Sequence, residues 1–442
     1  MIANSMFGYY FDLALRSFRR NKMLTALMVL AIALGIGASM TTLTVFYVLS
    51  GDPIPAKSDR LFYVQMDPRT KDGYTPGEDP SFQMTRFDSE ALLRAKRGLR
   101  QAVMTAGSAN IEPDRQGLTP FMTEARFTSA DLFAMFDVPF LQGGGWKASD
   151  DENRSRVAVI SKDMSEKLYG TTAAVGKPIR INESEFRVIG VVDNWRPTPR
   201  FYDLSNERFG KAEQVFIPFS TSLALRMGNN GDMNCWGENR IDDEEGSHAL
   251  NAPCAWLQYW VELKSADQSK DFLAYLGNYS DEQRRAGRFE RPTNVRLYNV
   301  MDWLDHNKVV PSDVRLQTWL AFGFLLVCLL NTVGLLLAKF LRRANEIGVR
   351  RALGASRRAI FAQCLVEAGT VGLVGGAIGL GLAMLGLWTV RQQPASYAEL
   401  AHLDPTMLVA TFVIAVVASV LAGLLPAWHA CQVTPAIQLK SQ

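Results

Sequence analysis

RRANEIGVRRALGASRR, residues 342–358, lies between two long apolar runs, Leu316–Ala338 and Leu365–Val390. It carries six arginines and one glutamate, far more charge than a plain connection between two apolar helices needs. Each flanking run has about 20 residues or more with almost no charge, enough for a helix to cross a hydrocarbon core of about 30 Å. Met23–Ser50 and Thr406–Trp428 share that character. Core helices of such length normally keep a polar face, and these runs show none. Met23–Ser50 follows Arg16, Arg19, Arg20 and Lys22, as the h-region of a signal peptide would. Its apolar stretch is too long for that and no convincing A-x-A site follows, so it reads as an uncleaved anchor. The expected fold is an α-helical membrane protein with four transmembrane helices and a large mixed α/β extracytoplasmic domain between the first and the second.

The basic residues orient this arrangement, because cytoplasmic loops carry the excess of Lys and Arg. Lys339–Arg358 holds Lys339, Arg342, Arg343, Arg350, Arg351, Arg357 and Arg358 against Glu346 alone, whereas the loop 391–405 is poorly basic. Both termini and the 342–358 segment are therefore expected on the cytoplasmic side, with residues 51–315 outside. The expected layout is an amphipathic entry helix within residues 1–22, with Phe11, Leu15 and Phe18 on one face, then spans at 23–50 and 316–338. A cytoplasmic segment at 339–364, spans at 365–390 and 406–428, and a tail at 429–442 complete it. Overall charge is nearly balanced, 47 Lys and Arg against 44 Asp and Glu, so no nucleic-acid partner follows from it. Of five cysteines, Cys328, Cys364 and Cys431 fall in or beside the spans. Cys235 and Cys254 lie outside, where the compartment is oxidising, and suggest a disulfide; two free buried thiols are the alternative. Closing that loop would stabilise by roughly 3 kcal/mol.

Within the outer region, Arg156–Ser161 reads as a strand and the segment after it as a short helix ending at Gly170. Pro178–Asn182 and Phe186–Val192 read as a hairpin, and QVFIPF, AWLQYWVEL and 291–298 as further strands. DQSKDFLAYLGNYS reads as a helix, and Met227–Ala252 as a long loop.

Catalytic patterns are missing. GTTAAVGKP, residues 170–178, has five residues between its glycines where a phosphate loop has four, and a proline after the lysine; it reads as a turn. His248, His306, His402 and His429 show no ligand spacing, so no metal is expected. Asp242–Glu245 reads as a solvated loop, with a cation site the alternative. The spans carry small residues at packing distance: Gly35 and Ser39; Gly372 with Gly376 and Gly375 with Gly379; Ser419 and Gly423. Such residues let backbones approach closely in lipid, but their spacing leaves open whether the partner helix belongs to the same chain. The lone Glu367 falls near the cytoplasmic end of its span, and the spans carry no sign of a polar pathway at mid-membrane.

In helical register, Val349, Ala352 and Leu353 of the 342–358 segment form an apolar face with Ile347 close by, rimmed by Arg350, Arg351, Arg357 and Arg358. Gly348 and Gly354 are placed to end or bend the turns. A basic loop lying on lipid explains the arginines. A helix docking a soluble partner explains the apolar knob as well.

Asn345–Gly379, NEIGVRRALGASRRAIFAQCLVEAGTVGLVGGAIG, closely resembles the signature of MacB/FtsX-type (type VII) ABC transporter permeases. ALRSFRRNKMLTALMVLAIALGIG, FTSADLFAMFDVPFLQGG with the segment from RVAVIS to FRVIGVV, and PAWHACQVTPAIQLK resemble other parts of the family. The resemblance is weakest over residues 195–294. It implies a non-catalytic permease subunit in a bacterial inner membrane, working as a lever. A cytoplasmic ABC ATPase dimer, which carries ATP and Mg, would push on Glu346, Ile347, Gly348, Val349, Arg350, Arg351, Ala352, Leu353, Gly354 and Ala355, and the motion would reach the extracytoplasmic domain. The sequence shows no Walker or ABC signature, so the ATPase is expected on another polypeptide. The resemblance also implies a second permease copy, homo- or heterodimeric, and allows an extracytoplasmic adaptor. It points to export or extraction of a hydrophobic or peptide-like substrate, or alternatively to a non-transporting regulator of a cell-wall hydrolase. The size of the outer region favours the former.

Overall fold

The computed structural model describes residues 22–237, 244–265, 267–393, 397–402 and 405–432. The expected entry helix, save Lys22, lies outside the described residues, as do the tail beyond Gln432 and Asp242 and Asp243 of the acidic run. The chain divides into two units, one of residues 51–309, the other of residues through Ser50 with those from Val310 onward. The boundary expected at Arg315 falls earlier, because Pro311 caps a helix that runs without a break into the second apolar span.

The helices of eight residues or more are α1 (Lys22–Ser50), α2 (Arg86–Ala95), α3 (Lys162–Tyr169), α4 (Gln268–Arg285), α5 (Ser312–Arg342), α6 (Ala344–Ala352), α7 (Arg357–Arg391) and α8 (Pro405–Gln432). The strands are β1 (Leu61–Met66), β2 (Met84–Thr85), β3 (Arg100–Glu112), β4 (Phe121–Thr128), β5 (Phe140–Gly143), β6 (Val157–Ser161), β7 (Pro178–Ile181), β8 (Ser184–Val192), β9 (Val215–Pro218), β10 (Asn229–Asn230), β11 (Asn234–Cys235), β12 (Cys254–Glu262) and β13 (Val295–Asn299).

In the soluble unit the main path of the sheet runs β13-β1-β12-β3-β4-β9-β6-β8-β5. Aromatic-rich β12 is buried along its whole length, as befits a strand covered on both faces. β3 is the longest strand and reads weakly in the sequence, being rich in Ala, Gly, Ser and Asn. It forms because it lies between partners, pairing with β12 at residues 100–104 and with β4 at residues 104–111. Ser161 caps α3 by accepting from the Met164 amide, and Gly170 closes it in the left-handed conformation at φ +67°. The loop resembling a phosphate site is thus a helix stop followed by a turn. The β7–β8 hairpin turns at Asn182 and Glu183 with φ +44° and +64°, the pattern of a type I′ turn. Cys235 and Cys254 stand opposite each other across β11 and β12 and form the disulfide. The long loop expected at Met227–Ala252 contributes short strands: β10 adds to β3 and β11 to β12.

A charge network missed in the sequence lies in this unit. Arg126 of β4 is fully buried. It donates to Asp203 at 2.7 Å and, through Nε, to Glu213 at 3.0 Å, while Tyr202 donates to Glu213 at 2.5 Å. Burial alone would lift both carboxyls. The Arg126 guanidinium and hydrogen bonds from Ser205 and Asn206 to Asp203, and from Tyr202 to Glu213, outweigh it and hold both below their ordinary range.

In the membrane unit the four long helices α1, α5, α7 and α8 are long and apolar enough to span a bilayer. Their outward faces expose apolar side chains such as Trp319, Leu330, Val409 and Leu421, the surface suited to lipid. The small residues meet helices of the same chain, resolving what their spacing left open. A Cβ built on Gly375 would lie 2.8 Å from Ile32, one on Gly379 3.0 Å from Ile36, and one on Gly376 2.7 Å from Ala415. At Gly35 it would lie 2.9 Å from Leu325; at Gly372 and Gly423 it would crowd Ser419 and Ala368. α7 therefore takes α1 on one glycine face and α8 on the other. Ser39 donates to the Ala321 carbonyl at 3.0 Å, and Ser419 donates to that of Ala368, so the buried hydroxyls are also satisfied between helices.

Candidate functional site

The arginine-rich segment is a foot made of α6 and the turn that follows it. Burial divides its residues cleanly. Ala344 and Gly348 are buried, and Ile347 and Ala355 pack against the apolar interior of the membrane unit. Asn345, Val349, Ala352 and Leu353 are exposed, the spacing of one helical face. Leu353 is 83% exposed and Val349 56%, one turn apart, forming an apolar knob.

The turn that presents Leu353 is built from backbone hydrogen bonds. Leu353 is the C-cap of α6. The Gly354 amide donates to Arg351 and the Ala355 amide to Arg350, the double bond of a Schellman stop, with Gly354 at φ +102°. Ser356 then caps α7, accepting from the Ala359 amide at 3.2 Å. A helix stop and a helix start within four residues leave Leu353 little freedom except in its own side chain.

Ile347, expected close by this face, packs inward. Two expectations are corrected here. Arg350 and Arg351 do not rim the knob: Arg350 binds Glu346 at 3.1 Å and donates to Gln363 at 3.2 Å, and Arg351 donates to the Cys431 carbonyl at 3.3 Å. These bonds to α7 and α8 offset the cost of removing the guanidiniums from water. Of the expected rim, Arg357 and Arg358 are exposed, and exposed Arg342 adds to the positive surround. Gly348 neither ends nor bends α6 and lies within it on the buried side; Gly354 alone ends it.

The foot is anchored by charges that sequence reasoning left unpaired. Glu367 of α7 is buried and accepts from Lys339 at 2.6 Å and from Arg343 at 3.2 Å. Arg343 also bridges to Glu346 of α6 at 3.3 Å, and Lys339 reaches Thr25 of α1 at 3.5 Å. One network thus joins α1, α5, α6 and α7. The sequence carries the separate parts, a lone acid in an apolar run and two basic residues four apart at the end of the preceding one, but nothing in it says that they meet. Among the described residues no group of His, Cys, Asp and Glu is arranged to hold a metal ion.

The foot is thus an exposed apolar knob on a turn whose backbone is fixed, tied by a buried ion network to the spans. The model of the MacB-like periplasmic core domain matches residues 25–279, and that of the FtsX-like permease C-terminal matches residues 319–435, which contains the foot. The chain belongs to the MacB/FtsX-type family of ABC transporter permeases. The macrolide export ATP-binding/permease protein MacB of Escherichia coli O157:H7 is 25% identical over 441 residues, and that of Escherichia coli strain K12 is 26% identical over 444. The chain spans 60% of the length of these curated relatives, which in turn cover 98% of it. The crystal structure of the periplasmic region of MacB from Actinobacillus actinomycetemcomitans aligns with 57% of the chain and 94% of its own at 14% identity and a TM-score of 0.36. With its family and its four apolar helices, the chain is a multi-pass membrane protein carrying a large mixed α/β unit between the first and second helices.

Proposed function

We propose that the chain is a mechanotransmitting permease subunit of an ABC transporter. A separate ATPase dimer, holding ATP and Mg, grips the foot and closes. The ion network carries the displacement from α6 to α5, α7 and α1, and α1 and α5 continue in sequence to the two ends of the soluble unit. In this reading the foot and both termini face the cytoplasm and the soluble unit faces the periplasm or the exterior. A second permease copy completes the assembly, an extracytoplasmic adaptor is accommodated, and the chain itself hydrolyses nothing. The work extracts or exports a hydrophobic or peptide-like substrate.

The observation that carries this reading is Leu353, a large aliphatic side chain 83% exposed on a turn otherwise tied down on its inner side. Burying a leucine in a partner's pocket contributes about 1.5–3 kcal/mol, and a carboxylate there would be desolvated without a partner. Leu353→Asp is therefore expected to abolish stimulation of the co-expressed ATPase while membrane insertion stays normal. ATPase coupling that survives the substitution would overturn the docking role.

A further inference from the structure

The soluble unit contains a groove that the foot and the spans do not use. Two adjoining cavities of about 500 and 380 Å³ share Arg86 and Leu223. Together they are of the size that holds a small organic molecule. The groove lies at a particular place in the sheet. β4 and β9 are parallel neighbours and end in register at Thr128 and Pro218. The residues that follow, Ser129 and Phe219, line the cavity, so it opens at the carboxyl ends of a parallel pair, where α/β sheets commonly bind ligands.

Its chemistry is amphiphilic. Leu93, Phe219 and Leu223 give an apolar floor. Around the larger cavity three arginines face three acids, and these are committed unequally. Glu90 is engaged by Arg86 at 2.8 Å and Arg94 at 3.3 Å. The Asp151 carboxylate is turned into the protein, accepting from the Ala130 amide at 2.8 Å and from the Trp146 indole at 2.9 Å. Glu152 is the remaining acid, against Arg154, which is exposed and makes no ion pair among the described residues. Arg154 and Arg226, at either end of the groove, both hold a left-handed backbone with φ +52°. Both are helix stops: the Arg154 amide donates to Asp151 and the Ser155 amide to Asp150, and the Arg226 amide donates to Leu223 and the Met227 amide to Ser222, which fixes the backbone from which each arginine projects.

We propose that this groove binds a small amphiphilic anion, its aliphatic body on Leu93, Phe219 and Leu223 and its carboxylate at Arg154. The proposal is independent of the docking foot, and the two fail separately.

The test uses the full chain in lipid nanodiscs with a C12 carboxylate bearing a diazirine, followed by mass spectrometry of the labelled peptides. Saturable labelling of segments within residues 86–94 and 219–226, displaced by dodecanoate and at least about tenfold less well by dodecanol, is expected. Leu223→Trp, which fills the floor, should reduce that labelling about tenfold. Arg154→Glu should weaken dodecanoate competition at least about fivefold, with Arg154→Lys restoring most of it. Arg154 is exposed, so its variants decide the matter even where Leu223→Trp disturbs folding. Labelling confined to the membrane helices, equal competition by dodecanol, or indifference to Arg154→Glu would overturn the proposal.

Discussion

Asp151 shows how one side chain can set a measurable pH response. Burial pushes its carboxyl from the ordinary 3.8 up to about 6, despite the opposing hydrogen bonds from Ala130 and Trp146. The folded state therefore holds this proton more tightly than the unfolded chain. Its contribution favours folding fully below about pH 4 and declines as pH rises toward about 6. Asp203 and Glu213 act with the opposite sign: their stabilisation is complete above the ordinary carboxylate range and is lost only on further acidification. Asp151→Asn should consequently be less stable than the wild type by a larger margin at pH 4 than at pH 6.5 when thermal unfolding is followed at both; a margin that does not change would contradict the assignment. Glu367 gives a second test at this scale. Removing it takes from Lys339 and Arg343 the buried carboxylate they share, and Glu367→Ala should cost about 3–5 kcal/mol in denaturant unfolding, the penalty of breaking a buried ion pair. The exposed knob was legible because helical spacing alone places Val349, Ala352 and Leu353 on one side. The Lys339–Glu367 pair was not, because periodicity along one helix says nothing about which residue of another it will meet. Arg350 and Arg351 misled for the same reason: their partners, Gln363 and Cys431, come from other helices.

At the scale of elements, legibility followed local signals. Strand β6, helix α3 and the β7–β8 hairpin carried their own caps and turn residues, so sequence and structure agree there to within two or so residues. Strands β3 and β4 had no such punctuation; β3 is held by β4, next in the chain, and by β12, far away in it, a pairing that single-sequence patterns do not reveal. The glycine faces of α7 make a further prediction. Gly375→Val and Gly376→Val should each disturb one interface, with α1 and α8 respectively, at a cost of about 1–3 kcal/mol, measured as lowered melting in detergent. Gly381, whose Cβ would meet nothing, should accept valine with little loss. Reducing the Cys235–Cys254 disulfide should destabilise the soluble unit by roughly 3 kcal/mol, seen as a lower melting temperature in reductant.

For the whole molecule, the division of labour follows from where polar groups are placed. The ion network joins the foot to helix ends, and Gly375, Gly376 and Gly379 hold α1 and α8 against α7, so a push on α6 meets a connected set of helices. The soluble unit has its own core, its own disulfide and, on the present account, its own ligand groove. The central claim is that force enters through Leu353. Placing a photo-reactive amino acid at position 353 and irradiating the assembled complex tests it directly. The account predicts a covalent adduct with the ATPase subunit whose yield changes between nucleotide-free and ATP-bound states. Adducts only with lipid or with the chain itself, in both states, would contradict it.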